Sequence, residues 1–266
     1  MKLWQKILTV TALIVMTSVS GCYLHIWHKE EIKMKDLNKT DPELAFLWGN
    51  FVNNDVKPQG NLDIKTRFLV LLSAHIATQA RGEYPLILHQ ALDNGVSPVE
   101  AKEVVYQAIP YVGMAKVYDF LRLTNRVLRQ RGIKLPLEEQ SNTTPENRLE
   151  KGIAVQSSIF GKEHIDAMRA SVPAELKHIQ DYLSANCFGD YYTRSGLDTK
   201  TRELLTFSLL VSMGGADPQV KAHVQGNLNG GNNRQVLLDT VTQLLPYIGY
   251  PRSLNGITAI NEIAKE

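Results

Sequence analysis

Leu62-Asp63-Ile64-Lys65-Thr66-Arg67 returns as Leu197-Asp198-Thr199-Lys200-Thr201-Arg202, 135 residues later. Pro110-Tyr111-Val112-Gly113 returns as Pro246-Tyr247-Ile248-Gly249, 136 residues later. Gly95 and Gly231 keep the second offset, so a single-residue insertion or deletion separates the anchors. Two anchors in the same order at nearly one spacing indicate an internal duplication, which constrains the architecture more than any local reading.

Both copies read as helices. In the first, Phe68, Leu69, Leu72 and Ile76 recur near the helical period across Lys65 to Gln79. Ser97-Pro98-Val99-Glu100 carries a helix start: a capping serine, a proline suited to the first turn and a glutamate that completes a capping box. Gly113 is a natural stop. The second copy repeats the plan. One helix runs from Thr201 to Met213 and ends at Gly214-Gly215, and another starts at Asp217-Pro218. A third runs from Asn233 to Ile248, and the last starts at Pro251. No strand pattern of useful length is present, so the fold class expected is all-α, two tandem helical units.

Outward from the repeats, Gly132 to Pro145 is polar, contains Pro136 and has no helical stripe, which marks a linker. Glu146 to Ser184 is helical again, with Ile153, Ile165, Met168, Leu176, Ile179 and Leu183 as its apolar positions. Asp36 to Asn50 reads as the shorter counterpart before the first copy. The start of the chain reads differently. Lys2 and Lys6 precede an apolar run from Ile7 to Met16, too short for the roughly 20 residues that span a bilayer. Ser18-Val19-Ser20-Gly21 then leads to Cys22, a signal-peptide layout. Val-Ser-Gly-Cys resembles a bacterial lipobox, which implies cleavage before Cys22 and a lipid on its thiol; an uncleaved anchor or ordinary cleavage nearby is the alternative. The divisions expected are residues 1–21 signal, 22–35 tether, 36–131 first unit, 132–145 linker and 146–266 second unit. The location expected is the bacterial cell envelope, periplasmic or surface side, with the membrane reached through the anchor.

Charge and cysteine narrow the function. Loss of Lys2 and Lys6 leaves 27 basic against 27 acidic residues, so no electrostatic footprint for nucleic acid exists. Cys22 and Cys187 are the two cysteines, so an acylated Cys22 leaves one thiol and no internal disulfide.

Thr201-Arg202-Glu203-Leu204-Leu205, then His223, then Pro246-Tyr247-Ile248-Gly249-Tyr250-Pro251 resembles the carboxymuconolactone decarboxylase family, whose sister branch is alkylhydroperoxidase D. The resemblance covers about Leu62 to Leu128 and Leu197 to Ile263. It implies tandem alkylhydroperoxidase D-like units, frequent homo-oligomers and a site between the first two long helices of a unit. The sister branch carries Cys-x-x-Cys-x-x-x-His with an upstream Glu. Counted from His223, the thiol positions hold Ala216 and Gln219, and in the first copy Ala80 and Glu83. The first copy's Glu and His positions hold Phe68 and Ile87, so only the second copy keeps Glu203 and His223. Without the two thiols, dithiol peroxidase chemistry is disfavoured.

A Glu–His pair suits proton transfer, so Glu203 and His223 are the candidate catalytic residues. Arg202, Tyr247 and Arg252 are the candidate substrate contacts, the arginines through a bidentate hold on a carboxylate. The reading is cofactor-free acid–base chemistry on a small organic acid or lactone; no residue set has zinc or iron spacing, so no metal is expected. Two alternatives stand beside it. One is a non-catalytic envelope protein that binds a ligand or partner. The other is peroxiredoxin-like chemistry at Cys187, which otherwise reads as a small buried hydrophobe. His89, two residues past the family's His position in the first copy, is a weaker candidate.

Overall fold

The computed structural model describes residues 34–265; the basic start, the apolar run and Cys22 lie outside the described residues. Among the described residues there is no strand, and the fold is all-α. The chain divides into two units, residues 1–48 and 49–266. The first unit's described part is helix α1 (Met34–Thr40) and most of α2 (Pro42–Asn50). The second unit contains both long-helix repeats.

In the first copy, a π-helical segment Phe51–Val56 precedes α3 (Ile64–Ala77), α4 (Tyr84–Asp93), α5 (Pro98–Val112) and α6 (Met114–Gln130). Next come α7 (Arg148–Phe160), α8 (Lys162–Ser171) and α9 (Lys177–Tyr182), then a second π-helical segment, Leu183–Tyr192. The second copy follows with α10 (Thr199–Met213), α11 (Asp217–Asn229), α12 (Arg234–Ile248) and α13 (Tyr250–Ile263).

The duplicated Leu-Asp-x-Lys-Thr-Arg motif is a helix start in both places. Asp63 accepts from the Thr66 backbone N–H at 2.9 Å, and Asp198 from that of Thr201 at 2.7 Å, each satisfying an otherwise orphaned donor. Ser97 and Glu100 form the reciprocal capping box that their spacing predicts. Stops are also shared: Gly214 ends α10 at φ 73°, while Gln79 takes φ 61° at the matching place after α3. Helix α4 goes beyond the sequence reading, although its buried residues Tyr84, Ile87, Leu88 and Ala91 keep helical spacing.

Helices α3 and α10 are buried nearly all round, from Phe68 to Ala77 and from Arg202 to Ser212. Such helices belong at the centre of a fold, and these two pack against each other. The copies also exchange partners: α10 packs on α5 of the first copy, and α3 on α12 of the second. One hydrophobic core therefore runs through both, from Phe68 to Val127 and from Leu197 to Ala264.

Polar links repeat the exchange. Arg202 donates to Gln107 at 3.0 Å, and its counterpart Arg67 donates to Gln243, the counterpart of Gln107, at 2.7 Å. The π segments take matching positions, each resting on the other copy's third long helix. The second π segment lies tight on α7: a Cβ at Gly152 would come within 1.9 Å of the Ser184 carbonyl oxygen, and one at Gly189 within 2.2 Å of that of Arg148. Glycine at both places lets two backbones touch and fixes the π segment over α5 and α10.

Candidate functional site

Glu203 lies in the second turn of α10 and His223 in the second turn of α11, and the hairpin turns them face to face. His223 Nδ1 is 2.9 Å from Glu203 Oε2. The carboxylate has no exposure and the imidazole residue keeps 7%. Asn227 braces the pair, its amide donating to the Glu203 carbonyl at 3.0 Å and the His223 carbonyl at 2.7 Å. Gly226 makes room for it, since a Cβ there would fall 2.3 Å from Glu203 Oε2.

The second carboxylate oxygen completes a directed network. Tyr192, from the π segment, donates to Glu203 Oε1 at 2.7 Å. Its proton thus committed, the Tyr192 oxygen accepts from Thr206 at 2.8 Å and from Tyr111 at 3.1 Å. Cys187 donates its thiol proton to the Tyr111 oxygen at 3.5 Å. Gln107 donates to Thr206 at 3.1 Å while its carbonyl accepts from Arg202, which only donates. Every proton in the chain Cys187, Tyr111, Tyr192 points toward Glu203. Burial above all holds the Tyr111 and Tyr192 phenols well above the usual tyrosine range, so both stay protonated donors. With Glu203 as acceptor, His223 Nδ1 is the donating nitrogen of the pair, which leaves Nε2 as the ring nitrogen free to exchange a proton. Tyr111 and Phe160 flank the imidazole with their ring planes nearly perpendicular to it, ring centroids 5.7 and 5.5 Å away.

The site is composite. Glu203 and His223 come from the second copy, Phe160 and Tyr192 from the segment before it, and Tyr111 from the first copy. Tyr111, Tyr192, Thr206 and Phe160 escaped the sequence reading. The signal for Tyr111 was present in the duplicated Pro-Tyr motif, but its duplicate Tyr247 looked like the member nearer the pair. Partner exchange instead carries Tyr247 to the first copy, where its ring lies 5.1 Å from that of His75.

The arginines expected to hold a substrate stand elsewhere. Arg202 is fully buried and turned away from the pair. Its guanidinium donates to Glu103 Oε2 at 2.8 Å, to Gln107, and to the carbonyls of Leu197 at 3.2 Å and Arg194 at 3.0 Å. Every nitrogen is engaged within the fold, so its placement is that of a strut between the copies. Arg252 packs beside Gly214, eleven residues beyond Glu203 along α10, a rise of about 16 Å. His89 lies on the surface, within 3.3 Å of Arg131. Among the described residues no group of three or more His, Cys, Asp or Glu is placed to hold a metal ion.

Cys187 is 5% exposed, and burial pushes its thiol up to about 12. Thiolate is the reactive form, so at neutral pH this sulfur is shielded twice. In a Cys22→Ser chain, a thiol reagent is expected to leave Cys187 unmodified in the native state and to label it at once in denaturant. Rapid native labelling, read by mass, counts against a buried role and for the redox alternative.

The carboxymuconolactone decarboxylase family profile matches this chain twice, over residues 42–126 and 177–262. The 4-carboxymuconolactone decarboxylase of Acinetobacter baylyi is 24% identical over 121 residues, 46% of this chain and 90% of that protein. The nitrosuccinic acid decarboxylase of Metarhizium robertsii is 27% identical over 109 residues, 41% of this chain and 75% of its own length. Each of these relatives aligns with less than half of this chain, as one copy of a duplication would. Two family matches covering more than half of the residues, in the order of the repeat, place it: the chain belongs to the carboxymuconolactone decarboxylase family.

Proposed function

We propose that the composite site decarboxylates a small activated organic acid, with His223 as the proton donor and Glu203 as the group that orients it. The observation that carries this reading is the buried 2.9 Å Glu203–His223 pair with its remaining carboxylate oxygen engaged by Tyr192. Both relatives named above are decarboxylases, one of a carboxylated lactone and one of a nitro acid by their names. In each class of acid the carbanion left by loss of carbon dioxide is delocalised, onto a carbonyl or a nitro group. The remaining task is to protonate carbon. Protonated His223 delivers the Nε2 proton to that carbon, the C–CO2 bond having broken with its electron pair left on carbon. Glu203 holds the ring through Nδ1 throughout, and solvent returns the Nε2 proton afterwards. The flanking rings of Tyr111 and Phe160 keep water from competing for the carbanion.

The test is carbon dioxide release by the purified chain from 4-carboxymuconolactone, nitrosuccinate and a panel of related small acids. Release from at least one of them is expected. No release from any, together with an unmoved His223 resonance on their addition, overturns the proposal in favour of a non-catalytic module.

We further propose that the chain is exported and held at the bacterial envelope by a lipid on Cys22. Cys22→Ser is expected to abolish lipid labelling and to leave an uncleaved precursor; labelling that persists overturns it. Among the described residues no helix is long and apolar enough to cross a membrane. Self-association is the companion proposal. Met114 and Tyr118 are 47% and 51% exposed at the start of α6, and their duplicates Tyr250 and Leu254 are 61% and 58% exposed at the start of α13. Paired apolar faces of this kind suit contact between copies. Light scattering is expected to give a multimer, and a strictly monomeric mass at high concentration refutes it.

A further inference from the structure

The first copy has lost both family residues, Phe68 and Ile87 standing where Glu203 and His223 stand in the second. It nevertheless holds a histidine and a glutamate at the equivalent hairpin, with their helices interchanged. In the second copy the carboxylate is on the first long helix and the imidazole on the next. In the first copy His75 is on α3 and Glu83 caps the start of α4. Their closest atoms, His75 Nε2 and Glu83 Oε2, are 3.8 Å apart. Each histidine has the other copy's duplicated tyrosine beside it: Tyr111 at 5.7 Å from His223 and Tyr247 at 5.1 Å from His75, ring centre to ring centre.

The His75 ring is 1% exposed. Its Nδ1 lies 2.7 Å from the Leu71 carbonyl oxygen, which fixes the proton on that nitrogen. Nε2 therefore presents a lone pair, and it is buried with no hydrogen-bond partner. Buried polar atoms without partners are rare and call for an explanation. The same hairpin carries Gln79, the non-glycine residue in left-handed backbone, four residues after His75. Strain of this kind gathers at ligand sites.

We infer that His75, Glu83 and the second copy's Tyr247 form a second binding site, for a small ligand bearing a primary ammonium group. Two acceptors 3.8 Å apart are satisfied together by a group that donates at least two hydrogen bonds. Glu83 is half exposed, at the solvent edge of the pair, and asks for positive charge. The Tyr247 ring, 5.1 Å from that of His75, adds an aromatic neighbour that favours a cation. A carboxylate ligand meets two acceptors and is repelled. Burial holds His75 below its ordinary pKa, against the opposing pull of the Leu71 carbonyl and Glu83, so the ring stays a neutral acceptor. Arg67, the other charge near Tyr247, is held on Gln243 by its Nε at 2.7 Å.

The experiment is a titration of the full chain, labelled with 15N-histidine, with methylammonium chloride, followed at His75 Nε2. The expected result is a resonance in the free-acceptor range that moves, saturably, toward the hydrogen-bonded range. Tetramethylammonium, which has no N–H, leaves it in place, and Glu83→Gln weakens the apparent affinity at least tenfold. The proposal is overturned if Nε2 is already hydrogen-bonded in buffer and ignores the amine, as a trapped water would make it. Equal affinity in Glu83→Gln also overturns it. Glu83 is half exposed and its replacement does not open the core, so the test survives even if His75 variants fail to fold. His223→Ala leaves the titration unchanged, so this result stands or falls apart from the decarboxylase reading.

Discussion

Glu203→Gln and His223→Ala are each expected to lower turnover by roughly 100-fold or more, the usual scale for loss of a positioned acid–base group. The two losses differ in origin. His223→Ala removes the proposed proton donor itself. Glu203→Gln keeps the shape and a hydrogen-bonding group beside Nδ1 but removes the carboxylate charge next to the ring. The double variant is expected to be little worse than the worse single one, because the two act as a unit. Tyr111→Phe, which removes one donor from the Tyr192 oxygen, is expected to cost less, and its effect tests whether the first copy serves the second copy's site. His89→Ala is the surface control and is expected to turn over at the parental rate. Rates are measured by carbon dioxide release alongside circular dichroism. Near-parental turnover in both Glu203→Gln and His223→Ala sinks the acid–base assignment.

The largest effect on stability is expected at Glu103. This carboxylate is 1% exposed and joins two arginines: Arg202 at 2.8 Å, and Arg194 at 2.9 and 3.0 Å. Arg202 has no exposure at all. Removing one partner of a buried pair strands the other's charge in a medium that solvates it poorly. Glu103→Ala is therefore expected to lose about 3–5 kcal/mol. That is a large part of the 5–15 kcal/mol that ordinarily separates folded from unfolded chains. The check is a denaturant midpoint at unchanged slope. Asp166→Ala, which breaks the exposed pair with Lys162, is the control and is expected to leave the midpoint in place. A Glu103→Ala midpoint equal to that of the control overturns the view of Arg202 as a strut between the copies.

The strut also explains which parts of the site could be read without a structure. Leu-Asp-x-Lys-Thr-Arg occurs twice because its aspartate caps a central helix and its arginine reaches the other copy's third helix, a job each copy needs done. Duplication, helix starts and the all-α class follow from local chemistry, capping and periodicity, which act between residues a few positions apart. The Glu203–His223 pairing lies at the edge of that range, because a helical hairpin with a short turn brings both faces together by its own geometry.

What the sequence by itself determined, then, is the duplicated helical plan and the survival of one Glu–His pair. Only the tertiary structure decided that Tyr111 and not Tyr247 faces that pair, and that Arg202 is turned away from it. It also decided that His75 and Glu83 meet in the copy that had lost the family residues. The physical reason is partner exchange. A central helix buried on all sides must take neighbours from both copies, and which neighbour it takes is set by packing across more than ninety residues of chain. Periodicity reports which face of a helix is apolar; it carries no information about whose helix covers that face.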